Sequence, residues 1–380
     1  MKVGIIGNYG NNNNGDEAIL TGILNQLTEH LHVKKEDIVV FSNNPENTVE
    51  RYGITAKPLI HKKGSILKSG TTTIRASFRV MKELDLLIIG GGGLLMDMYK
   101  RDAPLYSTLG ITGKRAGCRV VVYGVGAGPL NTAIGKFLIK QLTNAAQSVS
   151  VRDTDSQKLL QSIGVKTPVA VIGDPAFSVP AERTHTHSEA IKKVGVTAVP
   201  YFSNQYWPTP DLPKYNAYVE GMAAELDQLI EEKGVEVTFF STKFPEDVQV
   251  TKDIFSKMQH QEKAALLEDN LHPTEIVRIS AEQDLIIGTR LHSLILSVVA
   301  QTPVIGIGYH HKVEDFMKVI GMPTSGIPIN KVTPNSTAIV DVFHGISEKW
   351  DSVQHAYVKV SDQLKQEALK GLKQLELDKK

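Results

Sequence analysis

An arginine and a histidine stand two positions apart, at Arg290 and His292, inside the segment Asp284-Leu-Ile-Ile-Gly-Thr-Arg-Leu-His-Ser293. The segment reads as a buried strand, a glycine turn and then an apolar helix from Leu294 to Ala300. Ligands of open α/β sheets bind outside the carboxyl ends of the strands, so both side chains are predicted to face one. Arg290 offers a fixed cationic fork for a carboxylate or phosphate. His292 offers a side chain that titrates near neutrality. Together they predict an anionic substrate held beside a proton donor.

Other strand ends carry further polar groups. Arg152 closes the strand in Ser148-Val-Ser-Val-Arg-Asp-Thr-Asp-Ser156, and Asp153 or Thr154 is placed to cap the helix that follows. Arg152 either binds an anion facing Arg290 or forms a surface pair with an aspartate. Lys312 follows the predicted strand Val304–Ile307 and is expected to reach the same anion as Arg290. The adjacent His310 and His311 point different ways and lack an evident third ligand, so no metal site is predicted. Asp174, before proline in Val171-Ile-Gly-Asp-Pro-Ala-Phe177, is a turn former. It either orients a group across a cleft or holds a hinge.

Three glycine-rich strand ends would floor one crevice. Gly7-Asn-Tyr-Gly-Asn-Asn-Asn-Asn-Gly-Asp-Glu-Ala-Ile-Leu20 leads into a helix. Its spacing is not the dinucleotide fingerprint, and no phosphate-loop lysine follows. Asp16 and Glu17 would repel a phosphate there; they suit helix capping and hydrogen bonds from sugar hydroxyls. Leu86-Leu-Ile-Ile-Gly-Gly-Gly-Gly-Leu-Leu-Met-Asp97 places Gly91 and Gly92 where backbone can approach a ligand or a neighbouring domain. Tyr123-Gly-Val-Gly-Ala-Gly-Pro-Leu130 is the third.

The elements that must position these groups are short, continuous apolar runs alternating with helical stretches. Val3–Ile6, Ile38–Phe41, Leu84–Ile89, Val120–Tyr123, Ser148–Val151 and Val169–Ile172 form one series. Val194–Val199, Val235–Phe240, Leu285–Ile287 and Val304–Ile307 form a second. Continuous rather than alternating runs fit parallel strands covered on both faces. The predicted fold class is α/β, with two doubly wound Rossmann-like domains facing a cleft. Residues 1–178 form the first and 179–345 the second, the pattern being interrupted near Pro175–Thr186. Residues 346–380 read as a helix whose apolar face, from Trp350 through Tyr357 and Leu364 to Leu375, would pack across both domains.

The chain has 380 residues and a net charge of +1, which argues against a general nucleic-acid-binding field. Its one cysteine, Cys118, fits a reducing compartment. The chain opens directly on a strand pattern, and no apolar run is long enough to span a bilayer. A cytoplasmic protein is expected. The stretch His61–Lys82 holds Lys62, Lys63, Lys68, Arg75, Arg79 and Lys82 with no acidic residue. It reads either as a solvated helix face or as a contact for a diphosphate or an anionic membrane surface. Tyr201, Phe202, Tyr206 and Trp207 would either stack on a sugar or cover the core.

The ordered set GNYGNNNNGDEAIL, GGGGLLMD, GVGAGP, SVRDTDS, GDPAF and GTRLHSLILS resembles the polysaccharide pyruvyl transferase family over roughly residues 1–325. The resemblance implies a two-domain fold of the glycosyltransferase-B type. It implies transfer of the enolpyruvyl group of phosphoenolpyruvate onto a sugar diol, giving a cyclic pyruvate ketal with no metal or redox cofactor. On these motifs Arg152, Arg290 and His292 are the expected catalytic residues. Lys312, Asp16, Glu17, Asn14, Gly91, Gly92 and Asp174 are expected to bind substrate. Thr197-Ala-Val-Pro-Tyr-Phe202 departs from the arginine-and-tryptophan pattern common in the family after the first strand of the second domain, although Trp207 lies nearby. The expected partners are phosphoenolpyruvate and a saccharide acceptor. A lipid-linked acceptor would bring peripheral contact with the inner membrane face. A nucleotide-sugar glycosyltransferase on the same fold is the alternative, and a non-catalytic glycan- or anion-binding protein is a third reading.

Overall fold

A computed structural model of the chain describes residues 1–376. The chain divides into two compact units, each built on one parallel sheet. The first unit comprises Met1–Asn11, Asp16–Val179 and the segment from Leu364 onward; the second comprises Asn12–Gly15 and Pro180–Gln363.

Seven strands make the first sheet: β1 (Val3–Ile6), β2 (Ile38–Ser42), β3 (Thr55–Pro58), β4 (Leu86–Gly90), β5 (Arg119–Val125), β6 (Ser148–Val151) and β7 (Val169–Val171). Their spatial order is β3-β2-β1-β4-β5-β6-β7, with every pairing parallel. The central strands β1 and β4 are buried at every position, as expected for a strand with helices on both faces. The β1–β4 register sets Val3 against Leu86 and Ile6 against Ile89. The chain leaves β1 toward β2 and β3, then crosses back to β4, so the order reverses between β1 and β4. A crevice opens at the carboxyl edge where such a reversal occurs.

The second sheet repeats the plan with six strands: β8 (Lys193–Thr197), β9 (Glu236–Phe240), β10 (Ala264–Leu267), β11 (Leu285–Gly288), β12 (Val304–Gly308) and β13 (Gly326–Pro328). The order is β10-β9-β8-β11-β12-β13, again all parallel. Its reversal lies between β8 and β11. Each unit has its own core. Leu87, Ile89, Val120 and Val122 are central to the first, and Val194, Val196, Leu285 and Ile305 to the second.

Two short segments join a unit far from them in sequence. In the second unit, Asn14 N donates to Thr242 O at 2.9 Å, and Phe244 N donates to Asn12 O at 3.1 Å. In the first, Gly173 N donates to Glu367 O at 3.0 Å, and Arg119 Nη2 donates to Leu375 O at 2.7 Å. The division therefore falls inside the long helix Trp350–Leu369. That helix anchors its early turns in the second unit, where Trp350 Nε1 donates to Ser188 O at 2.9 Å and Tyr357 Oη to Val304 O at 3.3 Å.

Candidate active site

At the reversal of the second sheet, β11 ends in Gly288 and the chain turns through Thr289. Thr289 N and Oγ1 both donate to Thr197 O, each at 3.2 Å, which ties the end of β11 to the end of β8. The helix then begins at Leu291, three residues before the position read from the sequence. Arg290 is therefore the N-cap residue and His292 lies in the first turn, where unpaired backbone N–H groups favour anions.

Arg290 is nearly buried, and its fork is held by a fully buried carboxylate. Nη2 donates to Asp247 Oδ1 at 2.6 Å and Nε to Asp247 Oδ2 at 3.2 Å. A further bond runs from Nη1 to Tyr206 Oη at 3.2 Å. Burial works against the guanidinium charge, but the Asp247 carboxylate outweighs it and holds the Arg290 pKa above its usual range. Asp247 opens the helix Glu246–Lys257 after β9 and also accepts Lys243 N at 3.0 Å. Lys243 Nζ sits 4.4 Å from the Tyr206 ring centre and 3.2 Å from Glu246 Oε1. Burial pushes the Tyr206 phenol up, yet the Arg290 and Lys243 charges prevail and set its pKa below the ordinary value. A cavity of about 580 Å³ opens beside this cluster, lined in part by Tyr206, Tyr215, Glu246, Gln249 and Asp253.

His292 packs against Gly15 of the same unit. A Cβ on Gly15 would lie 2.7 Å from His292 Nδ1, so only glycine leaves room for the imidazole where it stands. Asn13 Oδ1 accepts Gly15 N at 3.2 Å, and Asn14 is fully buried, so this tip is rigidly placed. Lys312 is exposed on the first turn of the helix His311–Val319, which follows β12, the neighbour of β11. His310 caps that helix, its Nδ1 accepting Lys312 N at 3.4 Å.

In the first unit, Arg152 closes β6 and donates from Nη1 to Asp174 Oδ2 at 3.0 Å. Asp174 Oδ1 accepts Ala176 N at 3.0 Å and so caps the short turn Pro175–Ser178. Asp153 caps the helix Thr154–Ser162 through Ser156 N at 2.6 Å, leaving Asp174 as the closer ion-pair partner of Arg152. A Cβ on Gly126 would lie 3.3 Å from the Arg152 guanidinium, so the fork lies against bare backbone. At the β1–β4 reversal, Asp16 Oδ2 accepts Asn8 Nδ2 at 2.9 Å, and Asp16 Oδ1 lies 2.8 Å from where a Cβ on Gly92 would stand. Glu17 is fully buried; its oxygens accept Gly10 N at 2.8 Å and Tyr52 Oη at 2.7 Å. It braces the glycine loop. Gly91 and Gly92 adopt φ of +71° and +64°, and a Cβ on Gly91 would strike Ile19.

The second unit thus gathers Asp247 and Tyr206 around Arg290, the N-cap of the helix whose first turn carries His292. The first gathers Arg152 with Asp174, and Asp16 with Gly92. Asp247, Lys243 and Gly15 escaped the sequence reading. The one available signal was the acidic pair Glu246–Asp247 opening a helix at a strand end. Among the described residues, one group of three or more His, Cys, Asp or Glu side chains has its ligating atoms within 4.8 Å of one another: the exposed His187, Asp351 and His355. The sequence reading named no metal site and did not single these residues out.

Comparison with known proteins decides what this architecture is attached to. The family model for polysaccharide pyruvyl transferase matches residues 13–311, most of the chain. This chain belongs to the polysaccharide pyruvyl transferase family. A relative across nearly its whole length is the amylovoran biosynthesis protein AmsJ of Erwinia amylovora, 24% identical over 96% of each chain. Family membership gives the protein a role in pyruvyl transfer during polysaccharide biosynthesis. Solved structures similar in fold include a putative UDP-N-acetylglucosamine 2-epimerase from Listeria monocytogenes, with TM-score 0.64 and 13% identity over 93% of this chain and 90% of that one. Anabaena HepE, solved with UDP-glucose, has TM-score 0.60 and 13% identity over 99% of this chain and 98% of that one. These likenesses place this pyruvyl transferase in the glycosyltransferase-B fold class. No helix among its described residues is long and apolar enough to cross a membrane.

Proposed function

We propose that this protein transfers the enolpyruvyl group of phosphoenolpyruvate onto two hydroxyls of a saccharide, forming a cyclic ketal and releasing phosphate. The observation that carries the reading is Arg290 at the N-cap and His292 in the first turn of a helix at the reversal of the second sheet, in a chain of this family. We assign the donor to the second unit and the saccharide to the first.

Phosphoenolpyruvate carries a carboxylate and a phosphate, and both need N–H donors. Arg290 has N–H groups beyond those engaged by Asp247 and Tyr206. The first turns of the helices Leu291–Val299 and His311–Val319 add backbone N–H groups, with Lys312 on the second. Because the Arg290 charge is already matched by Asp247, the arginine acts chiefly as an oriented fork. Lys312 and the helix starts add positive potential at the same sheet edge.

In the proposed reaction, protonated His292 gives its proton to the methylene carbon C3, and positive charge develops at C2. One sugar hydroxyl forms a bond to C2 and returns its proton to His292. The C2–O bond to phosphate then breaks, the second hydroxyl closes the ring, and its proton leaves with phosphate. Atoms balance with no change of overall oxidation state, so we assign no cofactor. Arg152, fixed by Asp174 in the first unit, is proposed as a further anion-binding group. Asp16, at the carboxyl edge of the first sheet beside Asn8 and Gly92, is proposed to accept from acceptor hydroxyls. The acceptor is proposed to be a polysaccharide precursor carried on a lipid.

The test is phosphate release from phosphoenolpyruvate by the purified protein with a panel of saccharide acceptors, and mass analysis of the product. Acceptor-dependent release with a product heavier by one pyruvate ketal is expected. His292→Ala is expected to abolish turnover while circular dichroism and the unfolding midpoint stay unchanged. Full turnover by that variant removes His292 from the chemistry. Nucleotide release from a nucleotide sugar, with phosphoenolpyruvate untouched, overturns the reading.

A further inference from the structure

Among the described residues of the first unit, six large apolar side chains are more than half exposed, from 56% at Met98 to 91% at Ile66. The others are Leu67, Tyr99, Ile134 and Phe137. Scattered single apolar residues on a surface need no explanation, but a contiguous set does. These six fall in pairs at the starts of three helices. Ile66 and Leu67 open the helix Ile66–Met81, Met98 and Tyr99 precede the helix Asp102–Ala116, and Ile134 and Phe137 lie in the first turns of the helix Ala133–Ala145.

The sheet brings the three pairs to one edge. Each helix follows a strand of a fully parallel sheet (β3, β4 and β5 respectively), so each begins at the carboxyl edge and runs back. The first helix packs against the second, and the second against the third. Asp97 fixes the last two starts together, accepting Asn131 N at 2.8 Å, Thr132 N at 2.6 Å and Thr132 Oγ1 at 2.7 Å. With neighbouring helix axes about 8–10 Å apart, the apolar strip runs on the order of 20 Å across three helix starts.

The exposed charge around the strip is predominantly positive. Lys62, Lys63, Lys68, Lys100, Arg101 and Lys136 are exposed at the same helix starts. Residues 61–82, 98–101 and 129–145 contain no aspartate or glutamate, in a chain that carries 41. The nearest carboxylates are already engaged. Asp97 is held as described, and Asp102 is largely buried, 3.5 Å from Arg101 Nε.

We propose that these three helix starts form a docking surface for an anionic lipid bilayer, with the six apolar side chains entering the headgroup boundary and the six cations meeting lipid phosphates. Amphipathic surfaces that lie on membranes join apolar insertion to a cationic rim in this way, and each part alone binds weakly. The proposal deepens the reading of the acceptor as lipid-carried and rests on it for its purpose. Asp16, Gly91 and Gly92 sit at the carboxyl edge of this same sheet, so docking there would hold that edge close to a headgroup-borne saccharide.

The experiment is co-sedimentation of the full-length protein with vesicles, without phosphoenolpyruvate or acceptor. Vesicles of phosphatidylcholine are compared with vesicles of phosphatidylcholine and phosphatidylglycerol. Binding to the anionic vesicles alone, weakening with salt, is expected. The exposed substitutions Ile66→Ser with Leu67→Ser, and separately Lys62, Lys63 and Lys68→Gln, are each expected to weaken it roughly tenfold or more while leaving turnover of a soluble acceptor unchanged. No binding to anionic vesicles, or binding that both variants retain, overturns the proposal. So does a stable self-associated form in solution that the serine variant disperses, since the strip would then be covered by protein. Because the readout needs no turnover, its failure leaves ketal transfer standing, and failure of ketal transfer leaves the vesicle result intact.

Discussion

At the scale of residues, two buried or nearly buried arginine–aspartate pairs stand at strand ends, Arg290 with Asp247 and Arg152 with Asp174. A buried pair adds little net stability, but breaking one leaves a costly lone charge. Asp247→Ala is therefore expected to destabilise the second unit by about 3–5 kcal/mol, read from urea unfolding; an unchanged midpoint would mean that water reaches Arg290. The Tyr206 phenol offers a second check. Its pKa is set below the ordinary value by neighbouring cations, so it should be the first tyrosine to ionise as pH rises. Alkaline titration followed by tyrosinate absorbance should lose its earliest phase in Tyr206→Phe. In Arg290→Gln, with a cation removed, that phase should move to higher pH. The arginines and His292 were legible in the sequence because each ends an apolar run. Asp247 was not, since its pairing with Arg290 spans a long loop of chain and follows no local period.

At the scale of elements, the strands with continuous apolar runs were legible, and the edge strands were not. Leu86–Gly90 is buried throughout, whereas β3 is Thr-Ala-Lys-Pro and alternates exposed with half-buried positions. Strands β10 and β13 are likewise short and only partly buried. An edge strand is held by one neighbour and needs little apolar surface, so its sequence carries little signal. The helix after β11 was read as starting at Leu294, because the apolar run starts there. Its first turn carries the polar His292, which the apolar run alone does not mark. Gly15 makes this placement testable. Gly15→Ala is expected to push the imidazole aside and lower kcat on the order of 10²-fold with the fold intact. Unchanged kcat would show that His292 reaches its working position independently of the loop.

For the whole molecule, the alternation of apolar runs and helices was enough to read two α/β sheets. The exchange of short segments was not legible. Residues 12–15 join the second unit and 364–376 the first through long-range backbone bonds, which leave no periodic trace. Removing everything after residue 363 should lower the unfolding midpoint of the first unit, because Gly173, Arg119 and Gln26 lose partners at Glu367, Leu375 and Ala368. Calorimetry of the truncated chain against the full chain would show it, and superimposable transitions would mean that the segment is only a surface attachment. The same arrangement constrains the order of events on the ribosome. The first sheet is synthesised early, but the strap that covers it emerges only after the entire second unit has been made. The second unit, whose borrowed residues 12–15 precede nearly all of the first sheet in the chain, has all its parts before that strap. A nascent chain should therefore pass through a stage in which every segment of the later-coded unit has been made while the earlier-coded one still lacks its last piece.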